Sequence, residues 1–386
     1  MKEGDLGALR THVMQHHPFL GSEFSRNPLL QPADNDYPDL ATKNTLLRAH
    51  RQIVRLREMD SILQSAQRQG RISFYMTCRG EEAIHIGAAA ALTLGDTVLA
   101  QYREAGLLMW RGFTIEQFTN QCFSNDLDLG KGRQMPVHYG SRALNYHTIS
   151  SPLGTQLPQA VGAAYHLKLQ KKPNVAICFF GDGCASTTDF HSACNFAATL
   201  KVPVIFFCRN NGFAISTPIE EQYAGDGIVS RAPGYGMAGI RVDGNDIFAV
   251  SAAVKAAKEY ALSHSSPVFI EAMTYRQGHH STSDDSTRYR NVKDVEHVAD
   301  FGDPIKRLET FLTQIGWVDA DSLVAASYEE KNAVLKAISA AERRPKPPLK
   351  SLFEDVYHQV PTHLREQEEE LHQHIAKYPE IYKMSK

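Results

Sequence analysis

Residues 175–212 read VAICFFGDGCASTTDFHSACNFAATLKVPVIFFCRNNG. Val175 to Phe180 is a short, unbroken apolar run, the pattern of a strand covered on both faces in a parallel sheet. Val204 to Cys208 (VIFFC) is a second such run, and residues 187–200 between them read as a helix. Strand, helix, strand is the right-handed crossover unit of a doubly wound α/β sheet. Both strands then point the same way, and both exits lie at the sheet edge where open α/β sheets bind ligands. The first exit is Gly181-Asp182-Gly183 and the second is Arg209-Asn210-Asn211-Gly212. A carboxylate (Asp182) and an amide oxygen (Asn211) are hard ligands suited to Mg²⁺. With a backbone carbonyl they leave octahedral positions for diphosphate oxygens and water, and the glycines let the backbone approach an anion closely. Either exit alone is a common turn sequence; their pairing on adjacent strands points to a ligand site.

Working outward, Val268 to Met273 (VFIEAM) reads as a third buried strand, after a helix at 247–263. Leu46, Leu47, Ile53, Val54, Met59, Ile62 and Leu63 recur at three- and four-residue steps, predicting a helix over 45–69 closed by Gly70. The small-residue stretches 81–92 and 155–169 read as helices packed closely on neighbours, and the Gly-, Pro- and Ser-rich stretch 130–151 as loops. The expected division is an extended arm at 1–43, an α/β domain at 44–320 and a helical extension at 321–386, broken by Pro345, Pro347 and Pro348.

The 386 residues carry 41 Lys plus Arg against 43 Asp plus Glu, a net charge of −2. That balance gives no case for nucleic acid or a membrane surface as partner. Hydrophobic residues at 42% and charged residues at 22% exclude wholesale disorder. No stretch approaches the roughly 18 apolar residues that span a bilayer. The six cysteines show no CxxC or zinc spacing, and several sit in apolar runs, so they read as reduced, structural thiols of a reducing compartment. The opening MKEGDLGALRTHVMQHH has neither an apolar h-region nor the acid-poor character of a transit peptide.

GDG followed about thirty residues later by NN resembles the thiamin diphosphate motif. The surrounding words narrow the likeness. QYREAG (101–106), GKGRQMPVHYG (130–140), SSPLGTQLPQAVGAAY (150–165), EAMTYRQGHHSTSDDS (271–286) and RPKPPLKSLFEDVY (344–357) resemble alpha subunits of 2-oxo acid dehydrogenases, the branched-chain members especially. The resemblance covers roughly residues 45–386. It implies a thiamin-diphosphate-binding fold, a mainly parallel, doubly wound sheet with helical extensions at both ends. It implies Mg²⁺ on Asp182, Asn211 and the Phe213 carbonyl, and a cofactor met by Tyr102, Arg103, Ser151, Leu153, Gly183, Cys184, Arg209 and His280. It further implies K⁺ near Ser150, Pro152, Thr155 and Gln156, and a substrate pocket lined by Phe74, Gln101 and Tyr102. Arg103 and Arg209 suit bidentate phosphate contacts. Cys184 stands where the family usually has Ala, and Thr188 where Gly is usual.

Residues 276–290 (RQGHHSTSDDSTRYR) contain almost nothing apolar, so the segment is expected to lack order of its own until a ligand engages it. The resemblance places His280 beside the cofactor as the proton-handling, catalytic residue, titrating near neutral pH, and Ser281 at an inhibitory phosphorylation site served by a kinase and phosphatase. The second family phosphosite falls on Asn291 and is absent. The implied activity is oxidative decarboxylation of branched-chain 2-oxo acids with transfer of the acyl group to a lipoyl-bearing acyltransferase core. A pyruvate-specific relative and a non-catalytic scaffold subunit are the alternatives. A second domain carrying an activating glutamate has no counterpart here, so a beta subunit in an α2β2 heterotetramer is expected. The implied location is the mitochondrial matrix in a eukaryote and the cytoplasm in a bacterium.

Overall fold

In the computed structural model, which describes residue 40 and residues 42–382, the quoted stretch forms two adjacent strands and the helix between them. The chain opens with α1 (Lys43–Arg68), whose first turn is capped by the Thr42 hydroxyl accepting from the Thr45 amide. Gly70 ends it in the left-handed region at φ +73°. Next come α2 (Glu82–Ala90), β1 (Thr97–Leu99), α3 (Ala105–Trp110) and α4 (Ile115–Cys122). After the loops comes α5 (Gln156–Leu169), then β2 (Ala176–Gly181), a 3₁₀ turn at Asp182–Ser186, α6 (Thr188–Leu200) and β3 (Val204–Asn210). A small hairpin, β4 (Phe213–Ala214) and β5 (Thr217–Pro218), leads into the one-turn α7 (Ile219–Gln222). Then follow β6 (Ala238–Asp243), α8 (Ile247–His264), β7 (Val268–Met273), α9 (Val292–Phe301), α10 (Pro304–Gln314), α11 (Ala320–Glu342) and α12 (Thr362–Lys377).

The main sheet has the order β1-β2-β3-β7-β6 and every pairing is parallel. Side chains alternate across it. Ile177, Phe179, Ile205 and Phe207 join the core beneath α1, α2 and α8. Ala176, Cys178, Phe180, Val204, Phe206 and Cys208 join the core beneath α5 and α6. Both faces are dry, which is why the strands read as unbroken apolar runs. All six cysteines are buried and free.

The small residues of α2 have a visible purpose. A Cβ on Gly87 would sit 2.7 Å from the Ile247 carbonyl oxygen, so α2 and α8 approach closely only because glycine is there. The helix over 45–69, the helix at 247–263 and the three apolar strands lie where the sequence predicts them, to within two residues. Two of the five sheet strands, β1 and β6, are not evident from sequence. The first has three residues, and the second (AGIRVD) is half polar. The arm expected over 1–43 falls, apart from Leu40, Thr42 and Lys43, outside the described residues. No helix among the described residues is long and apolar enough to cross a membrane.

Candidate functional site

Asp182 is the first residue beyond β2 and Asn211 the first beyond β3, so parallel pairing sets both at the carboxyl edge of the sheet. The β4–β5 hairpin folds back over this edge. The Phe213 amide donates to Asn211 Oδ1 at 3.2 Å. A Cβ on Gly183 would stand 2.6 Å from that of Ala214, so the absence of a side chain at 183 lets the hairpin seat itself on the Asp182 turn. Asp182, Asn211 and Phe213 thus gather from three segments. Asp182 is 1% exposed and has no ion-pair partner among the described residues. Burial pushes its carboxyl above the usual range, opposed by a hydrogen bond from Gln222 Nε2 at 2.9 Å. A buried carboxylate lacking a counter-charge, beside an amide oxygen and a carbonyl, suits a hard divalent cation.

Behind these groups lies a buried polar frame. The Arg209 guanidinium donates from Nη1 to Glu81 Oε2 at 2.7 Å, from Nη2 to Gln101 Oε1 at 3.1 Å, and from Nε to Glu104. Burial alone would lower its pKa, but the two carboxylates outweigh this and raise it. The other Glu81 oxygen accepts from Asn211 Nδ2 at 2.9 Å, and Gln101 Oε1 also accepts from the Gly181 amide at 2.9 Å. Arg209 thus has one N–H on each nitrogen engaged within the protein, leaving one further proton on each Nη, and Gln101 Oε1 is taken up by Arg209 and the Gly181 amide. Glu81 and Glu104 are unmarked in the sequence, since a glutamate ahead of a small-residue helix reads as ordinary surface.

His280 faces this frame from the far side. Arg276 Nη1 donates to His280 Nδ1 at 2.8 Å, which leaves the ring proton on Nε2, and Arg103 Nη2 donates to the His280 carbonyl at 2.8 Å. The Tyr102 ring meets the imidazole edge-on with centroids 5.9 Å apart. Burial, then the charges of Arg103 and Arg276, lower the His280 pKa to about 3. With Nδ1 accepting from Arg276, the imidazole is held as a neutral Nε2–H donor. The segment 276–290 is held here by polar bonds. Asp284 Oδ2 accepts from the His280 amide at 2.7 Å and from Tyr289 Oη at 2.6 Å. Arg276 Nη2 donates to the Ile215 carbonyl and to Tyr289 Oη, both at 2.9 Å. Arg290 donates to the Gly278 carbonyl at 2.8 Å while its guanidinium lies near the rings of Phe213, Tyr275 and Tyr289. Ser281, half-buried, follows His280 directly.

The remaining expected residues fall around this centre. Ser151 is exposed and its hydroxyl bonds His138 Nε2. His138 Nδ1 donates to the Pro136 carbonyl at 3.1 Å, which leaves Nε2 as acceptor. His138 is a site neighbour that the sequence does not announce. Leu153 is exposed. The Cys184 side chain points into the core with Phe190 and Ala193, and burial pushes its thiol up to about 12. Cys184 belongs to the Asp182–Ser186 turn, so the departure from alanine adds a sulfur to the packing directly beneath it. Phe74 and Tyr102 are partly buried against the core. Thr155 Oγ1 donates to Ser150 Oγ at 3.3 Å and to the Pro152 carbonyl at 3.2 Å, while Gln156 Nε2 is taken by the Phe179 carbonyl at 3.2 Å. Those oxygens form a small cluster before α5.

Residues 50–350 match the dehydrogenase E1 component family. The mitochondrial 2-oxoisovalerate dehydrogenase subunit alpha of Caenorhabditis elegans is 55% identical over 343 residues, covering 89% of this chain and 79% of the relative. The human protein of the same name is 54% identical over 340 residues, 88% and 76% of the two chains. The 2-oxoisovalerate dehydrogenase subunit alpha 1 of Arabidopsis thaliana, also mitochondrial, is 51% identical over 349 residues, 90% and 74%. A sheet edge with buried Asp182 and Asn211 at adjacent strand exits, carried on a sequence this similar over this length, places the chain in the family of dehydrogenase E1 components, among its alpha subunits.

Proposed function

We propose that this chain is the alpha subunit of a branched-chain 2-oxo acid dehydrogenase. Together with a beta subunit it would bind thiamin diphosphate, decarboxylate branched-chain 2-oxo acids and pass the acyl group to a lipoyl arm on an acyltransferase core. The observation that carries the reading is the convergence of Asp182, Asn211 and Phe213 opposite His280, in a chain more than half identical to subunits named for 2-oxoisovalerate. Those names favour a branched-chain substrate over pyruvate.

Asp182, Asn211 and the Phe213 carbonyl would hold Mg²⁺, and the Ser150, Pro152 and Thr155 oxygens, with Gln156, K⁺. Thiamin diphosphate, when bound, supplies a nucleophilic thiazolium carbon and an electron sink. The chain's residues do the rest of the work at this edge. Gly183 admits the diphosphate to the backbone, and Arg103 and Ser151 offer donors to its surroundings. Phe74 and Tyr102 would exclude water around an apolar side chain. His280, its tautomer fixed by Arg276, holds a proton at Nε2 for an acyl oxygen. An anionic diphosphate nearby would offset the two guanidinium charges and raise the His280 pKa.

Phosphorylation of Ser281 would place about −1.5 to −2 charges beside His280 and three residues from Asp284. Repulsion would break the Asp284 bonds that order the segment. A kinase and phosphatase would act at this position, and the mitochondrial names of the relatives support a mitochondrial location, in the matrix. Residues 44–320 would form the cofactor domain and 321–386 a helical extension.

The test is co-expression with a beta subunit and calorimetric titration with Mg²⁺–thiamin diphosphate. Binding is expected in the wild-type complex and its loss in Asp182→Ala. Turnover of 3-methyl-2-oxobutanoate is expected to exceed that of pyruvate. Binding unaffected by Asp182→Ala, or a preference for pyruvate, refutes the reading.

A further inference from the structure

Gln222 ends α7 and is used by nothing described so far except its bond to Asp182. Its Nε2 donates to Asp182 Oδ2 at 2.9 Å and to the Thr217 carbonyl at 3.0 Å. Both amide protons are therefore engaged, and the amide cannot turn over without losing both bonds. That fixes the position of Oε1, which is buried and has no partner among the described residues. Oε1 lies 4.0 Å from the place a Cβ on Gly183 would take, over the turn that presents Asp182.

A buried acceptor without a donor costs on the order of 1–3 kcal/mol. Evolutionary tolerance of that cost at a cation ligand suggests a donor that arrives with the ligand. A diphosphate oxygen is itself an acceptor and would be repelled. Mg²⁺, in contrast, keeps several of its waters when bound by few protein groups, and their protons are strong donors. We propose that Gln222 is a positioning residue of the cation site, with Nε2 setting the rotation of the Asp182 carboxylate and Oε1 accepting a hydrogen bond from a water carried on the cation. The inference rests on the reading of Asp182, Asn211 and Phe213 as the cation ligands. Glu81 gives an internal parallel, because it fixes the Asn211 amide from behind by accepting from Nδ2. The two side-chain ligands are thus each held by one buried polar partner, as is usual for groups supporting metal ligands.

The experiment uses the alpha–beta complex with thiamin diphosphate and Mn²⁺ as the probe, followed by electron paramagnetic resonance. Gln222→Met keeps the volume and removes both polar atoms. Its Mn²⁺ Kd is expected to rise about 10- to 100-fold. Excess Mg²⁺ is expected to restore the turnover lost at low Mg²⁺, which a merely structural lesion would not allow. Gln222→Glu, which sets a second carboxylate against Asp182, is expected to weaken Mn²⁺ at least as much as Gln222→Met. A Kd for Gln222→Met within twofold of wild type overturns the inference, as does tighter binding in Gln222→Glu. Failure of the wild-type complex itself to bind Mn²⁺ would sink the cation site as a whole, a different and distinguishable result.

Discussion

Arg209 shows how much of this site rests on groups that touch no ligand. Its guanidinium joins β3 to the starts of α2 and α3 through Glu81, Glu104 and Gln101. Lysine in its place keeps a charge but offers no planar fork, and at least one buried carboxylate would be left without its cation. Arg209→Lys is expected to destabilise the complex by roughly 3 kcal/mol, the scale of a broken buried pair, and thermal melting is the measurement. A melting temperature equal to wild type would mean the frame is dispensable. His85 behaves differently. It is fully buried on α2 beside the Arg103 backbone, and burial lowers its pKa to about 3. Between its unfolded value near 6.5 and about 3, only the unfolded chain takes up its proton. Stability is therefore highest above pH 6.5 and falls as the medium is acidified, by up to about 1.4 kcal/mol per pH unit. His85→Gln should flatten the melting profile across that window; an unchanged slope refutes the assignment. Asp182 and Asn211 are legible in the sequence because each marks a strand exit, where parallel topology dictates neighbourhood. Glu81, Gln222 and His138 are not legible, since nothing in a lone polar residue tells whether it is buried, and Glu81 meets Arg209 and Asn211 from more than a hundred residues away.

Elements meet at the site through one close approach, the β4–β5 hairpin resting on the turn after β2. Gly183→Ala would drive a methyl into Ala214, whose Cβ lies 2.6 Å from the new carbon. The hairpin carries Phe213, so the expected loss is in cation and cofactor binding more than in stability. Ala214→Gly added to Gly183→Ala should recover part of the calorimetric affinity, because the Ala214 Cα would still be 3.2 Å away. A double variant as weak as the single one would show that the defect arises elsewhere. The segment 276–290 is the other decisive element. Its composition suggests a chain that cannot order itself, yet Arg276 and Arg290 supply enough donors to satisfy carbonyls, a tyrosine and an imidazole. Apolar content predicts burial by hydrophobic packing; it carries no information on order built from guanidinium bonds. Ser281→Glu introduces charge beside this network and is expected to abolish overall complex activity. Full activity in that variant would exclude a switch at this position. The apolar strands were readable for the opposite reason, since two dry faces leave no alternative to an unbroken hydrophobic run.

At the scale of the whole molecule, the described residues at the site leave one carboxyl role without a candidate. Thiamin diphosphate needs a carboxyl group to activate its aminopyrimidine. The glutamates at this edge are already committed, Glu81 to Arg209 and Asn211, and Glu104 to Arg209. Asp182 is the group suited to the cation. The surface carries the same message. Tyr165, Leu169, Phe196 and Leu200 are exposed on α5 and α6, and α12 has no buried residue along its 16 positions. Exposed apolar faces on paired helices, and a helix with no buried residue, are features of a chain that is finished by association. The missing carboxyl group should therefore come from the beta subunit. Purified alone, this chain is expected to release no carbon dioxide from 3-methyl-2-oxobutanoate at any concentration of Mg²⁺–thiamin diphosphate. Titrating a beta subunit into a fixed amount of it should raise the rate linearly to a plateau at one beta per alpha. Turnover by the isolated chain would show that it holds its own activating group. A plateau at any other ratio would show that the shared site is built differently.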